Sequence, residues 1–139
     1  MMVGPENTLA QITASLAFAD AGALPSSILL YAEAAVATGA APTTSALAEI
    51  TLAKPCGTIT GGVLTLHVAN PDGALVLQQG IPRAARWMSG DGKLVGAGTV
   101  TDNLNAGDFH VAGGTTAPGD DAPLLLAGGL VLLGDVVFD

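Results

Sequence analysis

Short apolar stretches separated by turn-forming residues recur from residue 26 to the end of this chain. Several of them alternate apolar and polar residues, which is typical of strands that bury one face. The clearest turns are Asn70-Pro71-Asp72-Gly73 and Gly90-Asp91-Gly92, because proline presets φ and glycine accepts a positive φ. This rhythm predicts an all-β fold, an antiparallel β-sandwich or barrel.

The strands are predicted at 28–31, 47–53, 63–68, 75–79, 84–89, 93–101, 109–112, 124–127 and 130–138. Residues 54–57 contain a proline and a glycine, so they are expected to end the second strand. Residues 38–45 are interpreted as a turn-rich connection. In the fifth strand, alternation places Ala85 and Trp87 on one face, opposite Arg86 and Met88.

One helix is predicted near the N-terminus. Residues 8–11 (TLAQ) have the form of a capping box, with Thr8 as the cap. Leu9, Ile12 and Leu16 follow at spacings of three and four, so they share one face. The helix is short and rich in alanine, which suggests that it docks on another molecule.

The domain organisation follows from these elements. A helical arm is expected over residues 1–25, and a single β domain over residues 26–139. The N-terminus has neither the basic start nor the apolar core of a signal peptide. The longest apolar stretch, residues 123–133, is shorter than the roughly 20 residues that span a bilayer. We interpret it as a buried pair of strands and expect no contact with a membrane.

The small number of charged residues excludes several classes of function. The 139 residues include 4 basic and 12 acidic ones, which is 12% of the chain and gives a net charge of −8. Soluble proteins carry roughly 25%. Four cations cannot form a nucleic-acid footprint, and a mean hydropathy of +0.55 excludes disorder. Small and apolar groups must cover the surface, which favours a protein that is permanently assembled with partners.

Metal sites are not indicated. Cys56, His67 and His110 lie too far apart in sequence for a zinc motif, and one cysteine excludes a disulfide scaffold while fitting a reducing cytosol. The acidic residues at 102–108 do not match an EF-hand, so they and Asp120-Asp121 are interpreted as turn formers. At most, these carboxylates are expected to bind a divalent cation adventitiously.

No catalytic or cofactor-binding signature is found either. Ser89 lies outside any G-x-S-x-G elbow, and Gly90-Asp91-Gly92-Lys93 is followed by Leu94 rather than by the Ser or Thr of a P-loop. The chain is therefore predicted to be neither an enzyme nor a cofactor protein. Trp87, its sole tryptophan, is interpreted as a filler of the core or of an interface.

The stretch 84–102 (AARWMSGDGKLVGAGTVTD) resembles small structural proteins of tailed bacteriophages. In those proteins an aromatic strand, a D-G turn and a glycine-rich return strand precede a polar segment and a closing apolar strand, here 124–138. Residues 47–52 and 63–66 fit the same arrangement, as does the helix leading into 28–32. Within this group, the chain is most similar to the capsid cement, or decoration, proteins.

This resemblance implies a jelly-roll-like β-sandwich on the outer surface of an icosahedral head, made in the host cytoplasm. Such proteins bind across seams between major capsid proteins and associate with copies of themselves, so a homodimer or homotrimer is expected. No catalytic residue is carried over. We expect the contacts to involve apolar side chains of the arm and of two strands: Leu9, Ile12, Leu16, Tyr31, Trp87 and Met88.

Three other functions compete with this expectation. The first is also structural, a phage tail or baseplate component, and the location of the protein in purified heads or tails would distinguish it. A free ligand-binding β-sandwich, such as a carbohydrate module, needs exposed aromatic side chains, and aromatics make up only 4% of this chain. A hydrolase on a β scaffold would need a site assembled from distant residues such as Cys56 and His67.

Overall fold

The computed structural model of the protein describes residues 1, 4–34, 41–61 and 63–136. This part of the chain has a single α-helix and eight strands. The elements are α1 (Pro5–Ala19), β1 (Ser27–Tyr31), β2 (Ala48–Thr60), β3 (Val63–Val68), β4 (Ala74–Leu75), β5 (Ala84–Met88), β6 (Leu94–Thr101), β7 (Phe109–Ala112) and β8 (Leu130–Val136). Helix α1, the single helix in these ranges, is neither long enough nor apolar enough to cross a bilayer.

The strands form one curled sheet in the order β3-β2-β1-β5-β6-β7-β8-β4. The curl brings the two ends of the sheet together, because Ala48 of β2 bridges Val76, the residue that follows β4. Strand β3 also contacts β8. The prediction of a mostly β fold with one short helix is confirmed.

The sheet is mixed rather than wholly antiparallel, so that part of the prediction is wrong. Strands β6 and β7 run parallel, with Val100 beside Phe109. The Asp108 carboxylate at the start of β7 accepts hydrogen bonds from the backbone N–H of Thr99 (3.0 Å) and from its hydroxyl (3.3 Å). These bonds hold the entry of β7 against β6, and residues 102–108 provide the crossover.

Strand β2 does not end at residues 54–57, where the sequence predicted a break. Its pairing with β3 shifts register between Leu52 and Gly57 and then continues to Thr60. The extra residues form a bulge, which accommodates Pro55 because proline has no N–H for the ladder. Within the bulge, Cys56 is buried in the core.

The other strand predictions vary in accuracy. Strand β7 lies where it was predicted, and β4 is shorter than expected. The expected strand at 124–127 makes only isolated bridges, at Leu124 and Leu125. Strand β8 is described to Val136, so the predicted end at residue 138 lies outside the described residues, as does part of the 38–45 connection.

The helix begins at Pro5, and the capping box predicted at Thr8 is wrong. Gly4 is the N-cap without a side-chain hydrogen bond, and the Thr8 hydroxyl donates to the Gly4 carbonyl oxygen (3.2 Å). Proline in the first turn supplies the helical φ instead. Helix α1 contacts β2 and β6, and it buries Ile12 and Ala19. The boundary between an arm and a β domain at residue 25 stays a prediction.

The core lies inside the curl of the sheet. Trp87, which is 1% exposed, is its largest side chain, and it lies beside Ile28 of β1. The indole Nε1–H donates to the Ser26 hydroxyl at 3.4 Å. The alternation predicted in β5 is confirmed, because Ala85 is buried with Trp87.

Candidate functional site: an exposed leucine face

Three extended triplets carry large apolar side chains into solvent. The triplets are Leu75-Val76-Leu77, Leu124-Leu125-Leu126 and Leu130-Val131-Leu132. In each, the central residue is at most 2% exposed, whereas the outer leucines are 37–61% exposed. Successive side chains of an extended chain point to opposite sides, so burial of the centre turns both neighbours outward. We call the six outer residues the leucine face: Leu75, Leu77, Leu124, Leu126, Leu130 and Leu132.

Backbone hydrogen bonds join these triplets into one antiparallel ribbon. Strand β4 and its continuation run beside the stretch 124–131. At one end Leu75 pairs directly with Leu130. At the other end, Gly80 and Leu125 exchange two hydrogen bonds, of 3.0 and 2.9 Å between nitrogen and oxygen. The leucine face is therefore held on a shared backbone frame.

Charge is absent from this part of the sequence. Residues 74–82 and 122–134 include no Asp, Glu, Lys or Arg, although the chain as a whole has a net charge of −8. The six side chains together expose about as much surface as three free leucines, roughly 500 Å². A patch of that size is at the upper end for monomeric proteins and is often functional.

Two glycines let the segment after β7 lie close to the backbone of two leucine-bearing segments. A Cβ atom at Gly113 would collide with the carbonyl oxygen of Leu130, and one at Gly114 would collide with that of Leu124. Only residues without a side chain allow the segment after β7 to approach both leucine-bearing segments this closely.

An ion pair fixes the loop that leads into the face. Arg83, just before β5, binds Asp120 through two hydrogen bonds, Nη1 to Oδ1 (2.7 Å) and Nη2 to Oδ2 (3.0 Å). Nη1 also lies 3.4 Å from Oδ1 of Asp121. The guanidinium, helped by the backbone N–H of Asp121, holds the pKa of the Asp120 carboxyl well below its usual range. The side chain of Asp120 is 20% exposed and that of Arg83 is 38% exposed, so solvent weakens this ion pair by screening it.

We expect Asp120→Asn to lower the melting temperature near neutral pH by an amount that shrinks in acid. A carboxyl with a depressed folded pKa stabilises the fold above its unfolded pKa of about 3.9. That stabilisation is lost as the pH falls from the unfolded pKa through the lower pKa of Asp120 in the folded protein. Melting curves of both proteins between about pH 7 and pH 2.5 measure the difference in melting temperature. A difference that is constant with pH would contradict the depressed pKa of Asp120. Arg83→Gln is the matched variant at the other partner of the ion pair.

The acidic loops act as turn formers, as the sequence indicated. The Asp102 carboxylate accepts hydrogen bonds from the Thr116 hydroxyl (2.7 Å), the Asn105 amide (2.8 Å) and the Leu104 N–H (3.0 Å). The first two of these bonds are the main causes that lower the pKa of Asp102. Across the described ranges, no three His, Cys, Asp or Glu side chains gather in a way that could hold a metal ion.

The cysteine and the two histidines have different surroundings, because Cys56 is buried in the core whereas His67 is exposed on the neighbouring strand β3. Burial raises the pKa of the Cys56 thiol to about 11, and the nearby Asp20 carboxylate adds to the effect. His67 Nε2 is 3.1 Å from the Thr58 hydroxyl. His110 bridges two backbone carbonyl oxygens, with Nδ1 2.6 Å from that of Asp135 and Nε2 3.0 Å from that of Asn105.

The side chains predicted to contact partners lie on α1, β1 and β5 and not on the leucine face. Leu9 is exposed, Leu16, Tyr31 and Met88 are half-buried, and Ile12 and Trp87 are buried. Burial assigns Ile12 and Trp87 to the core of this chain, so they are not part of the surface that we consider below.

Sequence reasoning missed the leucine face, because the stretch 123–133 was predicted to be a buried pair of strands. That prediction is wrong for Leu124, Leu126, Leu130 and Leu132, which are all exposed. The sequence does contain a sign of the leucine face. In three places within stretches that lack charged residues, two leucines are separated by one residue.

Comparison with models of known protein families, with curated proteins and with solved structures finds no match to this chain.

Proposed function

We propose that this chain is a virion structural protein: a capsid cement, or decoration, protein on the outer surface of an icosahedral phage head. Its partner in this role is the major capsid protein. The observation that carries the proposal is the leucine face, an apolar surface formed by two segments without charged residues in an otherwise acidic chain. Such a surface is suited to permanent assembly, because burial removes it from water.

The energetics of a cement protein fit this surface chemistry. A ligand that binds only the assembled shell stabilises that shell by mass action. Apolar burial supplies roughly 25 cal/mol for each Å² removed from water, before the cost of association is subtracted. A net charge of −8 also keeps the protein from binding the packaged nucleic acid.

The proposal includes a jelly-roll-like sandwich, in which the curled sheet would form two packed layers. The return of the chain after β4 to β2, through the bridge between Ala48 and Val76, supports this arrangement. Contacts between β3 and β8 also fit it, since the two strands are distant in the order of the sheet.

The test uses the heads of a phage from whose genome the gene for this chain has been deleted. Purified protein is added back, and its attachment is measured by sedimentation and electron microscopy. We expect saturable binding to the outer surface and a higher temperature of head disruption. Binding to tails or baseplates instead of heads would overturn the cement assignment and support the tail component.

A further inference from the structure

We propose that a cleft at the edge of the leucine face binds a basic side chain of the partner protein. Apolar side chains of the same partner segment then cover the neighbouring leucines. The inference rests on the proposed function, in which the partner is the major capsid protein. It adds one specific ionic contact to the apolar contacts of the leucine face.

The cleft exists because strand β2 changes its partner along one edge. Leu52 pairs with Val68 of β3, whereas Ala48 bridges Val76, the residue that follows β4. Four steps along β2, from 52 to 48, therefore correspond to eight steps along the opposite chain, from 68 to 76. The extra residues form the turn at 70–73. Between this turn and β2 lies an open cleft of about 240 Å³.

The lining of the cleft joins one carboxylate to the leucine face. It includes Glu49 and Thr51 of β2 and Leu75 of the leucine face. Among the described residues that line the cleft, Glu49 is the only charged one, and it is exposed. The antiparallel bridge between Ala48 and Val76 places Glu49 directly beside Leu75. One partner segment can therefore contact the carboxylate and the leucines together.

The Glu49 carboxylate has no partner within the described parts of the chain, where neither an ion pair nor a hydrogen bond reaches it. An ionised carboxylate only accepts hydrogen bonds, and a guanidinium group or an ammonium group donates to it. Leucines packed against a partner exclude water from the neighbouring carboxylate. An ion pair formed there is consequently screened less than one on an open surface.

The size of the cleft restricts its occupant to a single side chain. Sites for small-molecule ligands usually occupy about 300–1,000 Å³, and this cleft is smaller and open to solvent. Arginine and lysine each have an apolar stem and a charged head. The stem of such a side chain can lie against Leu75 while its head binds Glu49, so both kinds of lining are used.

A second copy of this chain is a poor source of that basic side chain. The chain has 4 basic residues and a net charge of −8, so two copies repel each other. Two of the four are engaged within the chain, because Arg83 pairs with Asp120 and Lys54 donates to the Gly22 carbonyl oxygen. Charge complementarity therefore favours a different and more basic partner.

The experiment adds the full chain to phage heads that lack it and measures the binding constant at several salt concentrations. Glu49→Gln keeps the shape of the side chain and removes its charge. We expect this variant to bind at least about 10-fold more weakly at low salt. Its affinity should also depend less on salt than that of the unchanged protein, because salt screens ionic contacts. Leu75→Gln should weaken binding without changing the salt dependence, since it removes an apolar contact.

Glu6→Gln is the matched control, because it removes the same charge from an exposed position on α1, outside the cleft. This control should bind as the unchanged protein does, with the same salt dependence. Glu49→Asp keeps the charge and should keep most of the salt dependence. Circular dichroism checks that every variant is folded.

The comparison separates this inference from the proposed function. If the unchanged protein binds heads and Glu49→Gln binds them equally well, the inference is overturned and the cement function stands. An equal loss for Glu6→Gln would assign the effect to net charge and would also overturn the inference, as would a loss of self-association instead of head binding. If the protein binds tails rather than heads, the cement function is removed, and the same comparison on tails decides the inference. Binding to neither overturns both.

Discussion

Trp87→Ala is expected to lower the free energy of unfolding by about 3–5 kcal/mol. The indole is 1% exposed and is the largest buried side chain, so its removal leaves a cavity in the core beneath β5. It also removes the hydrogen-bond donor of the buried Ser26 hydroxyl. Domains of this size are stable by only about 5–15 kcal/mol, so much of the fold's stability depends on this side chain.

Urea denaturation followed by far-ultraviolet circular dichroism measures this loss, because the tryptophan fluorescence disappears with the residue. Trp87→Phe is the matched variant. It keeps an aromatic ring and loses the indole N–H, so we expect a smaller change, about 1–2 kcal/mol. A change below about 1 kcal/mol for Trp87→Ala would mean that the core closes around the gap, contrary to the close packing of protein interiors.

Local signals in the sequence predicted the elements whose chemistry is local. The hairpin between β5 and β6 follows from glycine, aspartate and glycine at 90–92, and in the structure the Ser89 N–H donates to the Lys93 carbonyl oxygen at 2.8 Å. Strand β7 and the turn before Gly73 were also placed correctly, since Gly73 takes a φ of 115° that few other residues adopt.

Features that depend on distant partners were not predicted. The parallel pairing of β6 with β7 depends on where the crossover at 102–108 returns, and the bulge in β2 depends on its register with β3. The capping box failed because Pro5 begins the helix earlier than Thr8 would. For the parallel pair and the bulge, a contact with another segment decided the structure, whereas the capping box was overruled by a proline nearby in the sequence.

The leucine face was missed for a similar reason. In Leu124-Leu125-Leu126 all three residues are apolar, so alternation gives no sign of which side is buried. The curl of the sheet decides it, by packing Leu125 into the core and leaving its neighbours outside. From the scarcity of charge, sequence analysis predicted that the chain needs partners, and it expected the contacts on side chains of α1, β1 and β5.

Gly114→Ala is expected to destabilise the fold by about 1–3 kcal/mol through overpacking. The new Cβ atom would collide with the backbone carbonyl of Leu124, and a backbone atom cannot move aside as the end of a flexible side chain can. The strain therefore falls on the segment that carries Leu124 and Leu126. Two hydrogen bonds hold this segment, Leu124 N–H to the Thr115 oxygen (3.1 Å) and Leu125 N–H to the Gly80 oxygen (2.9 Å).

Gly96→Ala is the matched control, because nothing lies within 4 Å of the position of its added Cβ atom. Both substitutions add one methyl group, and both reduce the freedom of the unfolded chain to a similar degree. We therefore expect Gly96→Ala to leave stability within about 1 kcal/mol of the unchanged protein or to raise it slightly. Urea denaturation compares the two variants, and hydrogen exchange at the Leu124 and Leu125 amides should accelerate only for Gly114→Ala. If both variants behave alike, steric contact at Gly114 does not hold the leucine-bearing segment, and its position depends on the hydrogen bonds and the buried Leu125 alone.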